Sequence, residues 1–502
     1  MRKHLAFRVV LVLLVATLEP AVLAQSPSTQ PADSKTQSTT EHPAAAARPT
    51  LRICAVCIRA HMEFLASDAL QGRGSGTHDE LVAATYIASE LRQYGIEPAA
   101  DEGGYIQRAP ILRRSLSAPP QMKFTTPGDG ASAQEITWTH GKEMLVRYLS
   151  QPEFSGPLQK IAAADIGEAK VQPGAIVFLI PKFLPTTDRS KLQSTILRVI
   201  SAGATAVLIP VSPERREHWE EDAKKLPALP FQLEGTTESE LGGNFNVVVV
   251  NEQAEAVLKE LQDGTLLRFE GHAAAPEKGF TWNVVGVLRG RDPRKSVILL
   301  SAHLDHLGIG PAVSGDNIYN GADDDASGTT AVLELARILG AGTRPRRTVV
   351  FALFGSEEAG GLGSIYFREH PPMPLKEIAA NLEFEMVGRP DPKTPHDALW
   401  LTGWERSNLG PALAAHGANL VADPHPEQGF FRRSDNYVLA KKGVLAQTVS
   451  SFGLHNDYHQ PSDDLAHIDF AHMTAGIRSM IQPLEWLVNS DFRPRWKPGG
   501  RP

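Results

Sequence analysis

Val297-Ile-Leu-Leu-Ser-Ala-His303-Leu-Asp305 is an apolar strand pattern that ends on two residues able to serve a metal. Val349-Val-Phe-Ala-Leu-Phe354 repeats the pattern and leads to Glu357-Glu358, and Ile378 to Met386 contains Glu385 at its close. Val284 to Leu288 and Val444 to Val449 are further apolar strands, and Thr329 to Leu339 is a helix with Val332, Leu335, Ala336 and Leu339 on one face. Strands alternating with helices imply an α/β fold, a mixed and mostly parallel sheet covered by helices on both sides. Ligands in such sheets gather at the carboxyl ends of strands, so His303, Glu357, Glu358 and Glu385 are expected in one crevice. Asp324 stands at the entry of the helix after the first of these strands. Gly321 and Gly328 around it permit a tight turn.

Each of these residues has an ordinary structural use. A His at a strand end is commonly a core residue, a Glu pair a solvated face, and three Asp before a helix its cap. Those uses do not explain why every acidic group falls on a strand end or helix entry of one sheet. An apolar strand running into Glu357-Glu358 is costly unless metal or protein charge compensates. With His459, the residues His303, Asp324, Glu358 and Glu385 suffice for two divalent ions, whose charge the three carboxylates largely offset. Glu357 is then a spare carboxylate suited to general-base work. Asp305 is placed to take the second N–H of His303 and fix its tautomer. Zinc suits these donors, and manganese or cobalt can occupy sites this rich in oxygen.

Six segments together resemble the co-catalytic zinc exopeptidases, the family of bacterial leucyl aminopeptidase and the glutamate carboxypeptidases. They are His303-Leu-Asp305, Gly321-Ala-Asp-Asp324-Asp-Ala-Ser-Gly328, Phe354-Gly-Ser-Glu357-Glu358-Ala-Gly-Gly-Leu-Gly-Ser364, Asn381-Leu-Glu-Phe-Glu385-Met-Val-Gly388, Ser434-Asp435 and Tyr458-His459-Gln-Pro-Ser-Asp463. The resemblance covers residues 60 to 125 and 275 to 490. It implies that Asp324 bridges two zinc ions, that Glu358 and His459 complete one, and that His303 and Glu385 complete the other. It makes Glu357 the base and Asp305 the residue that orients a ligand. Many relatives have Asp where this chain has Glu385, and Glu383 on the same strand face is a lesser candidate for that role. Residues 126–274 are similar to the protease-associated domain that such enzymes carry as an insert, which gives an inserted α+β module.

The rest of the chain fixes context. Arg2 and Lys3, an apolar run from Val9 to Leu18 and Val22-Leu23-Ala24 read as a signal peptide over residues 1–24. Residues 25–50, rich in Ser, Thr, Pro, Gln and Ala, read as a disordered linker. The peptidase domain is expected over 51–125 and 275–490, with 491–502 as a C-terminal tail. His61 to Pro98 has a helical pattern, and the glycines between Phe64 and Gly76 mark an exposed loop. Cys54 and Cys57 read as a local disulfide or as two small helix-face residues. With His61 they fall one ligand short of a structural zinc site.

The formal charge of −7 argues against a nucleic-acid partner. The expected protein is therefore secreted or periplasmic, without stable membrane association after signal cleavage, and its partner is a peptide substrate. An aminopeptidase with two zinc ions is the leading function. The same fold also serves dipeptidases and carboxypeptidases, glutaminyl cyclase-like acyltransferases with one zinc, and non-catalytic ectodomains marked by lost ligands. Oligomeric state is not legible.

Overall fold

The computed structural model describes residues 52–126, 134–162, 170–180, 189–236 and 246–502. The expected signal peptide and linker lie outside the described residues. The main sheet has ten strands. In chain order its principal members are β1 (Ile106–Arg113), β2 (Glu277–Leu288), β3 (Val297–His303), β4 (Val349–Phe354), β5 (Ile378–Phe384), β6 (Leu399–Leu401), β7 (Leu420–Ala422) and β8 (Ala446–Ser450). Across the sheet they run β7-β6-β8-β5-β3-β4-β2-β1. The centre is parallel, β4 with β3, β3 with β5 and β5 with β8, while β2 and β1 are antiparallel to their neighbours.

Alternation along the central strands sends each side chain to one of two apolar layers. Ile298, Leu300 and Phe351 pack under α1 (Ala55–Leu65), α2 (His78–Gln93) and α3 (Gly328–Ala341). Leu299, Val350 and Phe354 face the other layer, covered by Phe367 of α4 (Leu362–Glu369) and Leu439 of α5 (Asn436–Lys441). The C-terminal helix α6 (Phe470–Asn489) adds Met473, Ile477, Met480 and Leu484 to the first layer. The expected α/β fold, a mixed sheet between helices, is the fold observed.

A second sheet of eight strands lies between β1 and β2 in the sequence and has its own apolar clusters. Ile176–Ile180, Ala206–Pro210 and Val247–Val250 are its fully apolar parallel strands. Gln232–Leu233 leaves this stretch of chain and pairs with the edge of the main sheet at Ile111 and Leu112. Residues 51–502 form one compact unit.

The stretch expected as an exposed loop before α2 exposes Asp68, Ala69 and Gln71, but its glycines and Arg73 are buried. Arg73 is 1 % exposed, and its guanidinium donates to the carbonyls of Leu65, Leu304, Asn320 and Gly321. The glycines were read as a sign of exposure, but they serve close backbone approach: a Cβ on Gly72 would lie 2.2 Å from the Tyr319 carbonyl oxygen. Cys54 and Cys57 form a disulfide at the start of α1, and His61 is bonded to Tyr86 and Tyr94. Trp496, in the expected tail, packs edge-on against Phe431.

Candidate metal centre

Strand register brings the site together. His303 pairs with Phe354, and Ser301 pairs with Glu383, so the ends of β3, β4 and β5 stand side by side. Beyond β4 the chain must turn for Glu357 and Glu358 to share one side. The backbone takes positive φ on both sides of the pair, 52° at Ser356 before it and 105° and 71° at Gly360 and Gly361 after it. The turn is held by the Asp305 carboxylate, which accepts from the backbone N–H of Glu357 at 2.9 Å and of Glu358 at 3.4 Å, and from the Ser75 hydroxyl at 2.5 Å.

Asp305 therefore does more than the expected orientation of His303, and does that differently. The Nδ1 of His303 lies 3.1 Å from the Asp305 backbone carbonyl oxygen and 3.7 Å from its carboxylate. The side chain expected to take the imidazole N–H is engaged by the Glu357-Glu358 turn.

Three consecutive aspartates precede α3, and the fold gives each a different task. Asp323 accepts from the Gly388 N–H at 2.7 Å and meets His455 Nε2 at 3.0 Å. Asp325 accepts from the N–H groups of Gly328, Met386 and His303, tying three segments together. Asp324 alone divides its oxygens between two sets of donors. Its Oδ1 lies 3.1 Å from His303 Nε2, and its Oδ2 lies 3.2 Å from His459 Nε2. The Asp323 and Asp324 N–H groups donate to the Asp463 carboxylate, which fixes the turn.

Two groups of converging donor atoms result among the described residues. One is His303, Asp324 and Glu385; the other is His306, Asp324 and Glu358. His459 joins the second, with its Nε2 3.2 Å from Glu358 Oε1. Glu383 belongs to neither: it is buried and accepts from the Asn436 N–H at 2.6 Å. Glu357 also stands outside both groups. All five residues expected as ligands thus converge around Asp324.

His306 is the residue that sequence reasoning passed over. It is fully buried, its Nδ1 is 2.9 Å from Glu358 Oε1 and 3.9 Å from Asp324 Oδ2, and neither ring nitrogen has a hydrogen-bond partner. The signal was its place three residues after His303, in the same strand-end turn. Gly321 is shaped around this ring. It has φ of 59°, and a Cβ there would lie 2.4 Å from the His306 imidazole.

The charge distribution calls for cations. Burial opposes the His303 imidazolium, but Asp325, Asp305 and Asp324 outweigh it and hold the ring well above its ordinary value. The same contest raises His459, through Glu358. Burial raises Glu385 to about 6 and lifts Glu357 well above the carboxylate range. Glu358 is the reverse case. Burial works to raise it, and His459 and His306 draw it down to about 2. His303 Nε2, His459 Nε2 and Glu358 Oε1 are buried without hydrogen-bond partners, as are both nitrogens of His306. Buried donors that converge without satisfying one another fit divalent ions held by imidazole and carboxylate.

The sheet gathers at one end two sets of side chains that could hold metal ions. Residues 283–482 match the model of Peptidase family M28. The chain is 38% identical over 116 residues to an aminopeptidase of Pseudomonas aeruginosa, which is 23% of this chain and 20% of that protein. It is 28% identical over 153 residues to aminopeptidase YwaD of Bacillus subtilis, or 29% of each chain. The chain thus matches a fifth to three tenths of the length of these relatives. An aminopeptidase from Aneurinibacillus sp. strain AM-1 shares the fold, with a TM-score of 0.53 and 18% identity, over 88% of this chain and 95% of that one.

Proposed function

We propose that this chain is an exported metal-dependent aminopeptidase that removes N-terminal residues from peptides. The observation that carries this reading is Asp324, whose two oxygens face two separate donor sets while Glu357 stands uncommitted beside them. His303, Asp324 and Glu385 would hold one zinc ion, and Asp324, Glu358 and His459 the other. Bound there, the metal supplies Lewis-acid chemistry, polarising a carbonyl and making water acidic near neutral pH. Glu357 is the general base. Its burial among carboxylates raises its proton affinity, which suits a group that must take a proton and return it to the leaving amine. Asp305 positions that base through the backbone of the turn.

Relatives described as aminopeptidases support removal from the amino end. The N-terminal signal pattern and the Cys54–Cys57 disulfide support export. No helix among the described residues is long and apolar enough to cross a membrane. We read residues 126–274 as an inserted module of the protease-associated type, which its separate sheet and apolar clusters support.

The test pairs metal analysis with a substrate panel. Two divalent ions per chain and turnover of aminoacyl arylamides, lost on N-acetylation, are expected. Cleavage of blocked peptides from the carboxyl end would replace this reading with a carboxypeptidase. A single ion with cyclisation of N-terminal Gln would replace it with a cyclase.

A further inference from the structure

Next to the His303–Asp324 donor group lies a small open cavity whose lining includes Glu385 and Tyr458. Phe430 and Arg433 line it from one segment, and Ser450 at the end of β8 and Phe452 just beyond it from another. Part of the wall is aromatic, with Trp400 stacked on Phe430 at 5.4 Å between centroids. A wall of that kind alone would suit an apolar side chain.

Arg433 contradicts the apolar reading. Arg433 is half-buried, and no carboxylate pairs with it among the described residues; its guanidinium carbon sits 4.9 Å over the Phe430 ring. An apolar side chain filling this cavity would strip water from the Arg433 guanidinium and leave it unpaired, which is costly. The only other charged residue lining the cavity is Glu385, which belongs to the His303–Asp324 donor group. Among the described residues Arg433 is the one cation lining the cavity; it feels the Glu385 charge but makes no ion pair with it. The ligand that satisfies it is a carboxylate, accepting from a guanidinium with which it can pair in bidentate fashion. The aromatic walls suit the methylene groups of a side chain that carries the carboxylate inward.

We propose that Arg433 makes this cavity a pocket for an acidic N-terminal side chain, glutamate or aspartate. This deepens the aminopeptidase reading and rests on it. The test compares Glu and Gln arylamides, which share shape and differ in charge. A Glu-over-Gln preference in kcat/KM of about 10- to 100-fold is expected, the worth of a hydrogen bond to a charged group. Arg433→Gln should collapse that ratio toward one. Arg433→Glu should invert it and admit Lys arylamides, a gain that misfolding cannot imitate. Equal use of Glu and Gln by the native enzyme, or a ratio unmoved by Arg433→Gln, overturns the proposal.

Two controls separate this idea from the reading beneath it. If Leu arylamides are turned over well and Glu arylamides poorly, the acidic pocket is wrong and the aminopeptidase stands. If no arylamide is hydrolysed, calorimetry of free L-glutamate against L-glutamine on the metal-loaded protein decides. Arg433-dependent preference for glutamate upholds the pocket while the aminopeptidase falls, and absence of preference removes both. If Arg433→Gln weakens Leu-Gly but not Leu arylamide, the cation serves the peptide's own carboxyl end, and the side-chain assignment fails.

Discussion

Replacing Glu357 by Gln keeps shape and backbone while removing the one group proposed to accept a proton. The structure sets the expected size. The Glu357 N–H bond to Asp305 is made by the backbone and survives the change. The side chain stands outside both donor groups, so neither loses a ligand. Its half-buried carboxyl group feels the charges of Glu358, Glu385 and Asp435, and the neutral amide relieves that repulsion. Thermal stability should hold or rise, and metal content should stay near wild type. Loss of a positioned base lowers rate by roughly 10²- to 10⁴-fold, or about 3 to 5 kcal/mol of barrier at 1.36 kcal/mol per decade. Elemental analysis, thermal melts and kcat measured on one preparation separate the parts. Glu358→Gln should lose metal first, with partial rescue by added zinc. If Glu357→Gln strips metal while Glu358→Gln keeps both ions without turnover, the two roles are reversed and the reasoning fails.

Other outcomes follow from the same geometry. His306→Ala should weaken retention of one ion of the pair by about 10- to 100-fold, the range for loss of a supporting group at a metal site. Chelator competition reads this, and unchanged affinity would leave His306 a packing residue. Metal binding should release protons, because His303 and His459 are held above their ordinary value and Glu385 is raised to about 6 in the metal-free protein. Ions must displace those protons, so affinity should rise as pH climbs through those values. Calorimetry in buffers of different ionisation enthalpy should show the release, and a buffer-independent heat would count against it. Arg73→Met should cost about 3 to 5 kcal/mol in denaturant unfolding, since it strands four buried carbonyl acceptors and removes a cation from among Asp305, Asp325, Asp463 and Asp324. A loss under 1 kcal/mol would show that the loop finds another anchor.

The sequence by itself determined the α/β architecture and the residues that meet in the crevice. Short, fully apolar runs such as Val349 to Phe354, set between helical patterns, read as strands covered on both faces, and parallel strands place their carboxyl ends together. His303, Glu358 and Glu385 could therefore be assigned to one place from local pattern, with Asp324 and His459 added by their motifs. Tertiary structure alone decided the rest. Three adjacent aspartates are chemically equivalent in a sequence, and contacts with Gly388, Met386 and Asp463, 60 residues and more away, leave only Asp324 facing both donor groups. The burial of Arg73 was hidden for a related reason. Glycines that make a loop pliable also let backbones touch, and which occurs depends on a partner segment more than two hundred residues on. His306 and Arg433 carry no periodic signal at all. Their meaning comes from what each lacks: hydrogen-bond partners for both ring nitrogens of the buried His306, and a carboxylate to pair with Arg433. A missing partner is a property of three-dimensional surroundings that no linear spacing records.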